Sequence, residues 1–192
     1  MPTRSRFPQA RTALLLVDVI NPFDFPGGPT FARRAMRVAK AIARLRERAT
    51  QAGLPVIYVN DNLGKWRSDV SALVEFCVRE GVPGAPVVEL LTPRKTDYVV
   101  LKSTLSGFYQ TPLETMLRLG GVETLIVTGF AADNCVLFTC ADAYMRDFRL
   151  VIPRDCIGAK TADAVQRALK TMSELFGAKI MVSKGRRLPP LR

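Results

Sequence analysis

Apolar and polar positions alternate along this chain in two rhythms. Near-continuous apolar runs at residues 13–17, 56–59, 98–101, 124–128 and 150–152, and a shorter one at 179–182, are strand-length. Such runs, rich in Val, Ile and Leu and lacking a polar face, predict buried strands of a parallel sheet covered on both sides. Between the first two runs, Phe31, Ala35, Val38, Ile42, Leu45 and Ala49 recur at steps of four and three and so share one helical face. Arg33, Arg34, Arg37, Lys40, Arg44, Arg46 and Arg48 are predicted to take the other face, and Gly53 to end the helix at its C′ position. Further helices are predicted over residues 68–79, 134–146 and 161–176. Another begins at Thr111-Pro112-Leu113-Glu114, where a Thr N-cap, a Pro at the first helical position and a following Glu read as a capping box closed by Gly120 and Gly121.

Strands alternating with helices predict right-handed βαβ units. The fold class is α/β: a three-layer α/β/α sandwich around a mostly parallel, Rossmann-like sheet of about six strands. The 192 residues are expected to form one domain, with a short basic tail over residues 184–192. Ligands of such a sheet sit beyond the carboxyl ends of its strands.

Composition changes the picture at three points. The formal net charge of +11 raises the question of a polyanion partner, but the cations are scattered, without interleaved aromatics or a groove-reading motif. A solvated basic surface is the better account, and nucleic acid is not expected as a partner. The cysteines at 77, 135, 140 and 156 form no CxxC pair, and no secretory leader or membrane-length apolar run is written. That pattern predicts free thiols and a cytoplasmic protein with no membrane partner. Finally, the chain contains no histidine. Proton transfer must then fall to Asp, Glu, Lys, Tyr or Cys, and Ser-His or Cys-His dyads are excluded.

Three chemically capable residues fall at predicted strand ends. Asp18 follows the first run, Lys102 the third, and Cys135 the turn after the fourth. Adjacent parallel strands would bring them to one crevice. A helix N-terminus and a neighbouring lysine both favour a thiolate, so the sequence predicts an acidified Cys135 with Asp18 as its proton acceptor. Main-chain N–H groups of Ala131 and Cys135 could form an oxyanion hole. Cys77, Cys140 and Cys156 read as core residues.

The run from Leu125 to Leu137 containing Gly129-Phe130-Ala131-Ala132-Asp133-Asn134-Cys135, with Asp142-Ala143-Tyr144 and Val151-Ile152-Pro153-Arg154-Asp155 after it, resembles the nucleophile segment of isochorismatase-like cysteine hydrolases. Asp18-Val19-Ile20-Asn21-Pro22-Phe23 is similar to their first motif, and Lys102-Ser103-Thr104-Leu105-Ser106-Gly107-Phe108 to their second. The resemblance implies a triad of Asp18, Lys102 and Cys135, and a cis peptide at Phe130-Ala131 that aims the Ala131 N–H into the oxyanion hole. It implies an amidase-like hydrolase of small-molecule C–N bonds acting through a thioester-type intermediate, and a homo-oligomer, dimer or tetramer. Nicotinamidase-like members carry a histidine-rich metal site after the second strand, where this chain reads Asn60-Asp61-Asn62-Leu63-Gly64-Lys65-Trp66-Arg67. No metal and no cofactor is therefore expected. Phe23, Asn62, Trp66 and Phe108 lie beside the motifs and are expected to contact substrate. The competing reading is a catalytically silent binding or assembly protein of the same fold that uses its basic surface.

Overall fold

The computed structural model describes residues 7–67 and 69–184; the tail expected at 184–192 lies outside it beyond Lys184. Seven strands are found: β1 Thr12–Val17, β2 Val56–Asp61, β3 Tyr98–Lys102, β4 Thr124–Phe130, β5 Arg149–Pro153, β6 Ile157–Gly158 and β7 Lys179–Met181. The helices are α1 Gly28–Gln51, α2 Val70–Cys77, α3 Ala85–Leu91, α4 Leu113–Leu119, α5 Cys135–Tyr144 and α6 Ala162–Phe176.

The strands form one parallel sheet in the order β3-β2-β1-β4-β5-β7, with the two-residue β6 paired to the end of β4. All six residues of β1 and all seven of β4 are buried. Alternate β1 residues serve opposite faces: Ala13, Leu15 and Val17 pack with α4, α5 and α6, while Leu14 and Leu16 pack with α1, α2 and α3. A strand with no solvent face needs no polar alternation, which is why these runs are apolar throughout.

Helix α1 follows its predicted stripe and ends at Gly53, which has the left-handed φ of 71° that glycine adopts freely. Arg46 departs from the predicted arginine face. It is buried and donates to Tyr58 Oη at 2.5 Å, Thr92 O at 3.0 Å and Leu90 O at 3.3 Å. Its guanidinium thus satisfies carbonyls at the end of α3 and ties that helix to α1 and β2.

The predicted capping box is also corrected. α4 starts one residue later than expected, after Pro112; Thr111 donates its hydroxyl to Gly107 O at 2.5 Å while its Oγ1 accepts the N–H of Leu113, the first helical residue, at 3.2 Å. The N-caps of α2 and α6 are side-chain caps: Asp69 accepts from Ala72 N at 2.9 Å and Thr161 from Ala164 N at 3.1 Å.

Gly129 holds the two central strands together at the rim. Its φ is 119°, and a Cβ there would lie 2.0 Å from Val17 O. Gly129→Ala is expected to destabilise the protein by about 3 kcal/mol or more, because strain and a backbone clash coincide. Urea unfolding checks this, and a loss under about 1 kcal/mol would contradict it. Among the described residues, no helix is long and apolar enough to cross a membrane.

Candidate active site

The four strands β3, β2, β1 and β4 lie side by side, and each ends in or beside a polar residue at the same rim. Lys102 is the last residue of β3, Asp61 the last of β2, and Asp18 follows β1; Cys135 opens α5 after the turn that leaves β4. The β2–β3 register sets Asp61 directly opposite Lys102. Asp18 takes a left-handed φ of 49°, a conformation that Asp tolerates better than most residues. Its N–H donates to Val59 O at 3.0 Å, and its Oδ1 accepts the Asp61 N–H at 2.6 Å. β2 therefore holds both the backbone and the carboxylate of Asp18.

Lys102 is fully buried, an unusual place for a lysine, and its ammonium is surrounded by acceptors. Nζ lies 2.9 Å from Asp18 Oδ2, 3.5 Å from Asp61 Oδ2, 2.9 Å from Thr104 O and 3.6 Å from Cys135 Sγ. Burial alone would lower its pKa. The Asp18, Cys135 and Asp61 charges outweigh burial and hold Lys102 above its ordinary value. Burial raises Asp18 above the usual carboxylate range, and Lys102 pulls it part of the way back.

The thiol differs from expectation. Burial pushes Cys135 up to about 12, and the Asp18 carboxylate adds to the rise both by its charge and by accepting the thiol hydrogen bond. Lys102 offsets only part of this. The sequence shows the helix N-terminus and the lysine but not the burial of the sulfur beside a carboxylate, and those two effects win. At rest the proton sits on sulfur, hydrogen-bonded to an aspartate that is itself paired with a charged lysine. Cys140 is fully buried with its pKa likewise raised, while Cys77 and Cys156 are pushed by burial to about 11 and about 12; all four thiols are free.

The turn between β4 and α5 is tightly specified. The Phe130–Ala131 peptide is cis. Ala132 N donates to Gly158 O at 2.8 Å, and Ala131 O accepts from Asn134 N and Val136 N, both at 3.1 Å. The N–H groups of Ala131 and Cys135 make no hydrogen bond to any described residue. Asn60, which the sequence did not single out for this role, is wholly buried and grips the loop after β1. It accepts from Ile20 N at 2.9 Å and donates to Ile20 O at 3.0 Å.

The four residues expected to contact substrate divide. Phe23 is fully buried, edge-on to Phe31 at 5.2 Å and to Phe130 at 5.8 Å, so it packs the core beneath the rim instead of facing a ligand. Phe108 is likewise a core residue, buried against Phe148 at 5.8 Å. Asn62 is buried and shapes its own turn, its N–H donating to Lys102 O and its Oδ1 accepting Gly64 N, each at 2.9 Å. Trp66 is 78% exposed and open to solvent. Asp61, for which the sequence leaves open a contact to substrate polar groups or a strand end, is the last residue of β2 and stands at the rim opposite Lys102. Among the described residues, no group of three or more Cys, Asp or Glu is placed to hold a metal ion.

Fold and rim together define a three-layer α/β protein in which a buried aspartate–lysine pair meets a cysteine at the carboxyl edge of a parallel sheet. The sequence matches the Isochorismatase domain across residues 12–183. The chain belongs to the isochorismatase family. It is 37% identical over 172 residues to the uncharacterized isochorismatase family protein YaaI of Bacillus subtilis (strain 168), covering 90% of this chain and 94% of that one. It is 30% identical over 176 residues to N-carbamoylsarcosine amidase of an Arthrobacter species, covering 87% of this chain and 67% of that one. Among solved structures, N-carbamoylsarcosine amidase of Thermoplasma acidophilum superposes with a TM-score of 0.70 at 28% identity, covering 93% of this chain and 99% of that one.

Proposed function

We propose that this protein is an amidase-like hydrolase that cleaves a C–N bond of a small molecule through Cys135, with Asp18 and Lys102 as its acid/base and charge partners. The observation that carries the reading is the contact of Lys102 Nζ with both Asp18 Oδ2 at 2.9 Å and Cys135 Sγ at 3.6 Å. A buried lysine held between a carboxylate and a thiol is an arrangement whose perturbed groups suit catalysis. Relatives named as amidohydrolases, among them the Arthrobacter N-carbamoylsarcosine amidase and the maleamate amidohydrolase of Pseudomonas putida, support the choice of bond.

In this mechanism the thiol transfers its proton to Asp18 as Sγ attacks the carbonyl carbon, so the thiolate exists only while it is reacting. Lys102 keeps the carboxylate paired and offsets the growing charge. The N–H groups of Ala131 and Cys135, which make no hydrogen bond to any described residue, receive the oxyanion. Asp18 then protonates the leaving nitrogen as the C–N bond breaks; a water molecule gives a proton back to Asp18 as it attacks the thioester, and the C–S bond breaks as that proton passes to Sγ, releasing the acid and restoring the thiol.

Asp18 must be ionised to accept the proton, and its pKa is raised. Activity should therefore fall on acidification at a higher pH than an ordinary carboxylate would give. Lys102 is also raised, which keeps its charge in place beyond the ordinary lysine range on the alkaline side. Asp18→Asn removes two of the causes that raise Cys135 and leaves Lys102 beside it. The variant should show a thiol pKa below 12, read by ultraviolet thiolate absorbance, together with slower turnover. An unchanged thiol pKa would contradict the role given to Asp18.

A screen of small amides and ureido compounds for ammonia release, with Cys135→Ala as control, tests the function itself. Release that persists in the variant would reject Cys135 as the nucleophile. We further propose that the chain self-associates. Phe138 and Tyr144 of α5 and Met145, which caps it, are 48%, 50% and 69% exposed on and just after the helix that Cys135 begins. Phe138→Lys should lower the mass seen by sedimentation equilibrium.

A further inference from the structure

A cavity of about 460 Å³ opens between α1 and the start of α6, and none of Asp18, Asp61, Lys102 or Cys135 lines it. Its volume lies within the roughly 300–1,000 Å³ range of small-molecule sites. The walls are apolar, formed by Phe31, Val38 and Val165 among others, and three arginines of α1, Arg33, Arg34 and Arg37, stand at its edge. Arg33 donates to Thr30 Oγ1 at 3.1 Å and Arg34 to Lys160 O at 2.8 Å, which fixes both guanidinium groups while leaving their charge uncompensated. Arg37 has no polar partner, and none of the three is paired with a carboxylate, among the described residues.

Arg33, Arg34 and Arg37 are exposed, and three like charges on one helix favour an anion among them, an attraction that added salt weakens. An apolar chamber beneath them selects an anion with a hydrophobic body. We propose that this cavity binds a small organic carboxylate, an aryl or branched-alkyl acid whose carboxylate pairs with Arg34 and Arg37 while its apolar part fills the space over Phe31 and Val165. Arginine suits this task because its planar fork donates to both carboxylate oxygens. Residues 185–192 are a poor occupant on charge grounds, since they add Arg186, Arg187 and Arg192 and no acidic side chain.

The location gives the site a bearing on the nucleophile turn. Phe31 packs edge-on against Phe130 with ring centroids 5.7 Å apart. Gly158, another wall residue, pairs with Phe130 in the sheet and accepts the Ala132 N–H at 2.8 Å. A ligand here would therefore contact Phe31 and Gly158, the two wall residues that bear on the segment leading into Cys135, and would be separate from whatever occupies the rim.

Titration calorimetry of the full-length protein with naphthoate tests the proposal. The expected result is a saturable one-site isotherm that weakens as salt is raised. Arg37→Glu should weaken binding about tenfold or more, Arg37→Lys should retain most of it, and Ala162→Phe, which places a ring in the mouth from an exposed position at the start of α6, should abolish it. Circular dichroism melts establish that the variants are folded. Absence of naphthoate binding at millimolar concentration would overturn the proposal, as would equal binding by wild type, Arg37→Glu and Ala162→Phe. Binding that emerges only after removal of residues 185–192 would identify that segment as the occupant and would equally overturn it. So would a change in oligomeric state in Arg37→Glu with naphthoate affinity unaltered, which would make the cavity a contact between copies.

Discussion

Cys135→Ala is expected to reduce amide hydrolysis by about ten-thousandfold or more, because a nucleophile, its proton acceptor and its charge partner act as one unit and lose their effect together. The fold should survive. Cys135 is only partly buried, packed at the edge of the core instead of within it, and the substitution removes one sulfur without leaving a charge exposed to a dry interior. Stability should change by no more than roughly 1 kcal/mol. The comparison of activity with melting temperature separates loss of chemistry from loss of structure. A variant that keeps a tenth of wild-type activity would show that the reaction does not pass through this sulfur.

The second large effect is on stability. Lys102→Met removes the ammonium from a fully buried position and leaves Asp18 buried without the cation that pairs with it at 2.9 Å. Removing one partner of a buried ion pair typically costs about 3–5 kcal/mol, because the remaining charge is neither solvated nor paired. For a chain of this size that corresponds to a fall of about 10 °C in Tm. The deficit should depend on pH in a definite direction. Burial already raises Asp18, and without Lys102 nothing comparable pulls it back. A carboxyl whose folded pKa lies above its unfolded value favours folding at low pH and loses that contribution as pH rises through the folded value. The variant should therefore recover toward wild type on mild acidification and be weakest at neutral and alkaline pH. Activity should be lost at every pH. A Tm within about 2 °C of wild type at neutral pH would mean that the pair is not needed for folding.

Both predictions rest on positions whose place at the rim follows from the sequence, and the reason is physical. Apolar runs that leave no polar face can only be interior strands, so a charged residue at the end of such a run must emerge at a sheet edge. Asp18 and Lys102 are legible on that ground alone. Other features are not. α3 spans only Ala85–Leu91 between Pro- and Gly-rich segments, too short to develop a helical period, and β6 has two residues. Arg46 looks like its solvent-facing neighbours, yet its burial depends on Tyr58 and on carbonyls of Leu90 and Thr92, partners that a helical repeat cannot reveal. Phe23 and Phe108 sit beside the motifs in sequence but point into the two cores on either side of the sheet, because nearness along the chain does not fix which side of a loop faces the cleft.

The thiol carries the most instructive difference. Sequence position supplies two influences that acidify Cys135, whereas burial and the Asp18 carboxylate emerge only in three dimensions and act in the opposite direction. In the proposed mechanism the consequence is a nucleophile that stays protonated until a substrate draws the proton to Asp18. Such a thiol is protected from indiscriminate reaction while remaining competent against a correctly placed carbonyl.

The most direct test of the whole account is intact-protein and peptide mass spectrometry during turnover of a slow amide substrate found by ammonia release. The account predicts one acyl group per chain, carried on the peptide containing Cys135, lost on standing in water and absent from Cys135→Ala. Steady ammonia release with no adduct in wild type, together with undiminished release from the variant, would contradict it.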